Sequence, residues 1–488
     1  MKSKLFILAG MLALCSVALA QGGGREKGDL NVQPLFTMPY ATAVGQPALT
    51  VTYGGFTARQ VNVTPDQHDT VGDAAQEPAI AVNPKNPAQM AIGFIQFDSV
   101  TNAFRQAGNA WTNDGGQTWQ NMPPLTDSGK PQYRTDPDLA TDSNGQFFYL
   151  DFHLFNAGQT ELFNAVNNQN WLGTVFAWGG QKPWLTCDTH LNSPGNGNLY
   201  EGWTQANSST GDHTFSRSIP NAIGQHTGWE APVLPTGAPT SGMIAVGPGG
   251  EVYDAGSAAD GTVFLITRSD NAKDKFSSPV VFGPSHEFSL GGGLAYYPAV
   301  NPWGAAGKLS CQVAGPFSPN RGTVYVLSSV GLWDQSGNAD ATNVHVMFAR
   351  SSDGGQTFSA PIRVDAVPPS GQNNLAWFGR LSVSPNGRLD VTYNSTGYSS
   401  QFGANTSVTM YTFSLDNGNH WSAPVQLTPA WDPNIGYPDN YMKIGGHSAM
   451  ISALDHVDFT FTATFTGGQD VYYMRIPAPL SRTPRKGV

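Results

Sequence analysis

A short apolar strand pattern recurs seven times along the 488 residues, and this repetition limits the chain to a small set of folds. Several copies continue through a turn into a second strand, as in Pro385 to Gly387 before Leu389 to Tyr393. The copies lie 46 to 81 residues apart and start at Glu77, Asp136, Lys182, Ser241, Tyr297, Phe378 and Asn440. This spacing fits one four-stranded sheet with its loops in every repeat.

A second repeat marks turns later in each sheet. It has the form Ser/Thr-x-Asp-x-Gly-x-x-Trp/Phe and occurs at 112–119, 351–358 and 414–421, with a degraded copy at 269–276. The Asp carboxylate can accept hydrogen bonds from its own loop, and glycine supplies the positive φ that the turn needs. We expect the aromatic residue to pack beside its own sheet, and the proline three residues later to lie on an outer edge strand.

These repeats predict an all-β protein, a β-propeller of seven four-stranded antiparallel blades in one domain over 46–477. Six blades is the alternative, if the last piece completes a blade already counted. The strand around Ala48 to Tyr53 is expected to close the ring by joining the final sheet. The 56 glycines and 35 prolines agree with this fold, because they leave little of the chain for helices.

The two ends of the chain lack the repeats. Residues 1–20 have the basic start, apolar run and Ala18-x-Ala20 site of a secretory signal, which predicts cleavage near Ala20 and a secreted or periplasmic protein. The bulky Leu14 before Cys15 favours this ordinary cleavage over a lipoprotein signal. We expect a flexible segment over 21–45 and a tail over 478–488.

Two cysteines, Cys187 and Cys311, remain after the predicted signal. In an oxidising compartment they permit one disulfide, and two buried free thiols are the equal alternative.

Charge and missing motifs exclude several classes of function. The formal net charge is −10 and no run of Lys and Arg occurs, so no nucleic-acid partner is predicted. No apolar stretch after the signal is long enough to span a bilayer. The chain carries none of the sequence motifs of zinc sites, nucleotide-binding loops or serine hydrolases, so we predict no metal and no cofactor. A monomer is expected.

The Asp-containing turns resemble the Asp-box, or BNR repeat, of the sialidase (neuraminidase) superfamily, over roughly residues 75–476. The stretches Gln76 to Pro84, Lys182 to Asp188 with Asn198 to Trp203, and Gln469 to Arg475 are similar to secreted bacterial proteins described as exo-alpha-sialidase-like. The resemblance implies a propeller that acts on glycans, with three arginines for a carboxylate, a Tyr nucleophile beside a Glu, and an Asp acid. The family's Arg-Ile-Pro marker of the first blade occurs here in the last strand, at 475–477, so its first arginine is not identified.

The repeat itself selects candidate site residues, because the innermost strand of a propeller blade begins at the face where ligands bind. Loops between second and third strands open on the same face. The inner-strand starts give Glu77, Arg134, Asp136, Asp138, Lys182, Trp184, Tyr297, Arg380, Tyr441 and Lys443. The ends of second strands add Asp98, Asp151, His153, Trp203, Tyr393 and Asn394.

From this set we expect acid/base or nucleophile roles for Glu77, Asp136 and Tyr441. Substrate binding is assigned to Arg134, Lys182, Arg380, Tyr393, Asp151 and His153. Strand capping, structural ion pairs and aromatic packing are the alternatives for these same residues.

Three functions follow from these candidates. The first is a sialidase-like glycoside hydrolase acting on an exposed glycan or polysaccharide at the axial pocket. The second is a non-catalytic propeller that binds a glycan or a protein, which fits the missing arginine marker better. The third is a polysaccharide lyase that uses Tyr and His.

Overall fold

The computed structural model describes residues 44–153, 158–165, 167–365, 375–396 and 406–479. Over these ranges the protein is all-β, and its antiparallel sheets form the seven blades of a β-propeller, as predicted. No helix in these ranges could cross a membrane. The predicted signal at 1–20 and nearly all of the segments 21–45 and 478–488 lie outside the described residues and stay predictions.

The strands follow the chain in blade order. The N-terminal strands are β1 (Val44–Pro47), β2 (Thr50–Tyr53), β3 (Phe56–Gln60) and β4 (His68–Thr70). Blade 1 has β5 (Ala74–Val82), β6 (Met90–Phe97), β7 (Gln106–Thr112) and β8 (Gln120–Leu125). Blade 2 has β9 (Arg134–Thr141), β10 (Phe147–His153), β11 (Gln159–Ala165) and β12 (Trp171–Phe176). Blade 3 has β13 (Trp184–Cys187), β14 (Leu199–Gly202) and β15 (Phe215–Ser218), with a bridge from Phe215 to Val233 on its outer side.

The remaining blades complete the ring. Blade 4 has β16 (Thr240–Val246), β17 (Val252–Ser257), β18 (Phe264–Ser269) and β19 (His286–Phe288). Blade 5 has β20 (Gly292–Leu294), β21 (Ser310–Val313), β22 (Val324–Trp333), β23 (Ala339–Ser351) and β24 (Ile362–Arg363). Blade 6 has β25 (Ala376–Val383), β26 (Leu389–Thr396), β27 (Ser407–Ser414) and β28 (Val425–Gln426). Blade 7 has β29 (Ala449–Ser452), β30 (His456–Ala463) and β31 (Asp470–Pro477).

Blade 7 is completed by the N-terminal part of the chain, which closes the ring. β3 pairs with β31, with Ala58 opposite Met474, and β2 pairs with β3. The expected closing strand at Ala48 to Tyr53 is therefore β2, which reaches the last sheet through β3. Asn62 also holds the joint, since its side-chain amide donates to Asp470 Oδ1 (2.8 Å). Closure of this kind covers the outer edge of β31, which would otherwise stay unpaired.

In every blade the inner strand pairs continuously with the second strand over four residues at equivalent positions. The four-residue pairings end at Val82, Thr141, Cys187, Val246, Val313, Val383 and Ser452. Two of the predicted strand starts were wrong: the inner strand of blade 5 begins at Ser310, after Tyr297, and that of blade 7 begins at Ala449, after Asn440. In both blades a long connection precedes the inner strand, and the sequence of this connection resembles the start of a strand.

The Asp-containing turns have the hydrogen bonds that the sequence predicts. Asp353 Oδ1 accepts bonds from Ser351 Oγ (2.7 Å) and from the Gln356 and Thr357 amides (3.0 Å each). The position of the aromatic residue was predicted wrongly, because it packs on the preceding blade. Phe358 of blade 5 stacks on Phe288 of blade 4 with ring centroids 4.4 Å apart.

The apolar core consists of clusters between neighbouring blades, which follows from sheets that are buried on both faces. Both Cys187 and Cys311 are buried free thiols in these interfaces, the second of the two alternatives.

Candidate functional site

Seven equivalent positions lie two residues before the four-residue pairings, on the face where the inner strands begin. We call this the upper face. The seven residues are Glu77, Asp136, Lys182, Ser241, Lys308, Phe378 and His447. Five of them are titratable, so the sevenfold repeat places charged side chains around the axis of the ring.

The backbone at these positions is in an uncommon conformation. Glu77, Asp136, Lys182, Ser241 and Phe378 all have φ between 51° and 53°, in the left-handed region. This conformation costs a non-glycine residue of order 1–2 kcal/mol, so surrounding contacts must hold it in each blade. In blades 1, 2, 4 and 6 the pairing register shifts at this point, which is the signature of a β-bulge.

Glu77 is the most enclosed carboxylate of the site, with no exposed surface. Its Oε1 lies 3.0 Å from Lys443 Nζ, and its Oε2 lies 3.9 Å from His447 Nδ1. Burial raises the pKa of this carboxyl, but Lys443, Lys182 and Lys308 together hold it well below its usual range. Glu77 is therefore ionised in the folded protein.

His447 is the neighbour of Glu77 that stays neutral. Lys308 Nζ lies 3.4 Å from its Nδ1, where an ammonium can donate to an unprotonated ring nitrogen. Burial and the Lys308 charge lower the pKa of His447 well below its ordinary value, and the Glu77 carboxylate opposes them. The pair Lys308 and His447 thus adds one positive charge to the site.

Two carboxylates of blade 2 join it to blade 3. Asp136 Oδ2 accepts a bond from the Lys182 amide (3.0 Å), and Asp138 Oδ2 accepts one from the Leu185 amide (2.7 Å). Burial raises the pKa of Asp138, while the Leu185 amide and Arg380 oppose this shift. Asp138 is consequently a carboxyl that takes up a proton more readily than an ordinary aspartate.

Arg380 faces the same pocket from blade 6. Its Nε has no hydrogen-bond partner among the described residues. Burial lowers the pKa of its guanidinium, and Asp138 is the counter-charge that opposes the shift. A guanidinium offers a planar fork of donors that matches a carboxylate or a sulfate, so Arg380 is equipped to bind an anion.

These side chains form one group, which we call the axial cluster. It comprises Glu77, Asp136, Asp138, Lys182, Lys308, Arg380, Lys443 and His447. The cluster has four cationic side chains and three carboxylates. Asp136, Asp138, Lys308, Arg380 and His447 line a pocket of about 30 Å³, with Trp184 and Met243 also in its wall. Such a volume holds roughly two water molecules. As the described residues bound it, the pocket admits one small charged group rather than a whole sugar ring.

Three of the predicted binding residues lie elsewhere, in a buried cluster inside blade 2. Arg134 has no exposed surface, and its guanidinium contacts Asp151 Oδ1 at 2.7 Å and Glu161 Oε2 at 2.5 Å. His153 lies 3.8 Å from the other oxygen of Glu161. Burial raises the pKa of Asp151 to about 6, against the opposing charge of Arg134. The geometry of Arg134 is that of a structural ion pair between strands.

The two predicted tyrosines have different surroundings. Tyr441 Oη accepts a bond from Arg105 Nη1 (3.0 Å), and the Arg105 guanidinium lies 4.3 Å above its ring. Lys443 Nζ is 5.7 Å from the same ring, so Tyr441 borders the axial cluster. Tyr393 is buried in the apolar core with Leu381 and Val391.

The structure therefore brings together Glu77, Asp136, Lys182 and Arg380, and it places Arg134, Asp151, His153 and Tyr393 in other surroundings. Sequence reasoning missed Lys308 and His447, the equivalent positions of blades 5 and 7. The signal was present but weak: Lys308 to Val313 and His447 to Ser452 have the same length as Glu77 to Val82, and all three segments have an apolar fourth residue.

No family model and no curated protein matches this chain. Solved structures with a similar fold include a protein of unknown function from Dyadobacter fermentans, with 12% identity, a TM-score of 0.45, and coverage of 88% of this chain and 99% of that one. The phage phi92 endosialidase has 11% identity, a TM-score of 0.42, and coverage of 89% and 71%. A Penicillium chrysogenum alpha-L-arabinanase complexed with arabinobiose has 12% identity, a TM-score of 0.42, and coverage of 88% and 98%. At these values the resemblance concerns the fold alone.

Proposed function

We propose that this protein is a binding propeller whose axial pocket holds the acidic group of a glycan. The observation that carries the proposal is Arg380, a guanidinium in the pocket wall whose Nε is without a hydrogen-bond partner among the described residues. Lys308 lines the same small pocket. An anion there would accept charge-assisted hydrogen bonds from these two cationic side chains.

Binding is favoured over sialidase chemistry by the partners of the predicted catalytic residues. Glu77 contacts Lys443, Asp136 accepts the Lys182 amide, and Tyr441 accepts a bond from Arg105. Arg134 is paired inside blade 2, so it does not join Arg380 in holding a carboxylate. Three converging arginines and a Tyr–Glu pair are thus not assembled by the described residues.

One observation supports hydrolysis of a glycoside as a second candidate function. Within the axial cluster the pKa of Asp138 is raised by burial, whereas that of Glu77 is held low by the lysines despite its burial. A pair of carboxyls with opposite shifts is what acid/base catalysis on a sugar requires. In this version Asp138 is the proton donor.

Calorimetric titration of the protein lacking residues 1–20 tests the proposal. The ligands are N-acetylneuraminic, glucuronic and galacturonic acids and oligosaccharides that contain them, with glucose and galactose as neutral controls. We expect an acidic sugar to bind and Arg380→Ala to weaken it at least tenfold, with Arg380→Lys between the two. Arg321→Ala makes the same change of charge outside the axial cluster and should leave binding unchanged. Absence of binding by every acidic sugar would overturn the proposal.

A panel of fluorogenic glycosides, including a sialoside, separates the second candidate from the first. Release of the fluorophore that Asp138→Asn abolishes and Arg321→Ala preserves would establish hydrolysis. Binding of an acidic sugar without any release supports the binding propeller.

A further inference from the structure

A second cavity lies at the opposite end of the axis, where the inner strands end. We call it the lower groove. Its floor is apolar and includes Val246, Val313 and Val383, and its volume is about 770 Å³. Ligand pockets commonly enclose 300–1,000 Å³, so the groove is of the size that binds a molecule. Met243 lines both the groove and the axial pocket.

The walls of the lower groove are two enlarged turns. Turns between first and second strands have three to seven residues in five of the blades, but eleven in blade 3 (188–198) and ten in blade 5 (314–323). These blades flank blade 4, whose short turn at 247–251 lies between them. Insertions that rise from one face of a repeat scaffold are where such proteins place binding surfaces.

Both enlarged turns present a large apolar side chain to solvent. Leu191 is 78% exposed and Phe317 is 85% exposed, and both line the groove. Solvation of two such side chains is unfavourable, and a ligand that fills the groove they both line would remove them from water.

Internal hydrogen bonds order the two enlarged turns. Asp188 Oδ1 accepts the His190 amide (3.0 Å) and its Oδ2 accepts Ser193 Oγ (2.5 Å). In the other turn the Gly322 amide donates to the Ala314 carbonyl (2.9 Å). A wall that is ordered before binding reduces the entropy lost when a ligand enters.

The remaining lining residues indicate the chemistry of the ligand. Thr189, Asn192, Gln312 and Ser384 supply hydrogen-bonding groups among the apolar residues, as a peptide main chain needs. Arg321 is the one Asp, Glu, Lys or Arg among the described lining residues, and it is exposed. Its charge is opposite to that of the protein as a whole, which is −10, so it favours an acidic ligand group locally.

We propose that the lower groove binds an extended peptide segment of a partner protein, with apolar side chains against Leu191 and Phe317 and a carboxylate against Arg321. The site is separate from the axial cluster and independent of the function assigned to it. The mixed polar and apolar lining fits a peptide better than a lipid chain, which would use only the apolar part.

Selection from a phage-displayed library of random octapeptides on the protein lacking residues 1–20 tests this inference. We expect the selected peptides to share apolar residues and an acidic residue. A fluorescein-labelled consensus peptide should lose at least tenfold in affinity with Leu191→Ser and with Phe317→Ser. Phe276→Ser, which removes an 88% exposed aromatic outside the groove, is the matched control and should bind as the unaltered protein does.

A charge exchange makes the test specific for Arg321. Arg321→Glu should weaken the acidic peptide tenfold or more, and a peptide with Lys in place of its acidic residue should bind this variant better than the unaltered protein. If the selected peptides bind all three groove variants with the affinity they have for the unaltered protein, the inference is wrong. Binding of oleate or of phosphatidylglycerol vesicles through Phe317 with no peptide selected would also overturn it. Because the groove variants keep the axial cluster, acidic-sugar titration distinguishes failure here from failure of the proposed function.

Discussion

At the scale of single residues, Glu77 and Lys443 form a buried ion pair within the axial cluster. Both side chains are fully buried and lie 3.0 Å apart. Removal of one partner from such a pair leaves the other charge buried and unpaired, which commonly costs about 3–5 kcal/mol. The pair therefore contributes to the stability of the fold, whether or not it also takes part in binding.

We expect Glu77→Gln to lower the free energy of unfolding by about 3 kcal/mol or more, measured by urea denaturation at pH 7. The double variant Glu77→Gln, Lys443→Met should recover part of this loss, because it also removes the buried ammonium that Glu77 contacts. Glu287→Gln, an exposed change of the same charge on β19, should have little effect. With the single variant Lys443→Met measured as well, a double-variant loss equal to the sum of the two single losses would show that the pair is not coupled.

Three carboxylates beside the ring closure give the stability a pH dependence. Asp69, Asp73 and Asp470 have carboxylate oxygens within 4.8 Å of one another. Burial and the charge of Asp69 raise the pKa of Asp470 from 3.8 to about 6. The folded protein then binds more protons than the unfolded chain between about pH 4 and 6, so stability falls as the pH rises through this window.

Asp69→Asn should reduce this fall, because it removes the charge that raises the pKa of its two neighbours. We expect the variant to gain about 1 kcal/mol at pH 7.5 and nothing at pH 4, in urea denaturation at a series of pH values. Asp66→Asn, an exposed change nearby, serves as the reference. A constant difference across the pH range would contradict the assignment.

At the scale of the element, the Asp-containing turns were predictable because their hydrogen bonds are local. In the turn of Asp353 the hydroxyl and the two amides that donate to the carboxylate lie within four residues of the aspartate. Their aromatic residue was misplaced because its partner belongs to another blade: Trp119 packs on Tyr473, with ring centroids 5.2 Å apart. A contact across 354 residues of sequence leaves no local pattern.

We expect Asp353→Ala to lower the thermal unfolding midpoint, because the carboxylate accepts four hydrogen bonds within its turn. A cost of about 1–3 kcal/mol is reasonable for their loss. Asp353→Asn keeps one acceptor oxygen and should cost less. Calorimetry of the two variants checks the order, and equal midpoints for both would mean that the charge and not the geometry stabilises the turn.

The axial site shows the same division between local and distant information. Glu77, Asp136 and Lys182 were found because each directly opens a recognisable strand, whereas Lys308 and His447 follow long connections that imitate one. Arg134 was placed in the pocket because it stands at the start of an inner strand, but two carboxylates from β10 and β11 bind it within the sheet. The number of blades follows from the sequence period, while the partner of each charge depends on packing that the period does not encode.

At the scale of the whole molecule, the ring is held closed by strands from its two ends. The Val61 amide donates to the Val471 carbonyl (2.8 Å), and the Val471 amide donates to Asn62 Oδ1 (2.9 Å), across more than 400 residues. Ala58 of β3 is fully buried in the core that contains Met474. A propeller whose last blade combines both ends cannot lose this joint without exposing the edge of β31.

Ala58→Glu should therefore open the joint, since it places a charge in the core of blade 7 without a partner. We expect a loss of about 3 kcal/mol or more in the free energy of unfolding, together with early proteolytic cleavage between β2 and β5. Thr57→Glu makes the same addition on the partly exposed side of β3 and should be close to neutral. Hydrogen exchange decides between local and global effects: faster exchange confined to β2, β3 and β31 is the expected result, and uniform acceleration over all blades would show that the joint has no independent stability.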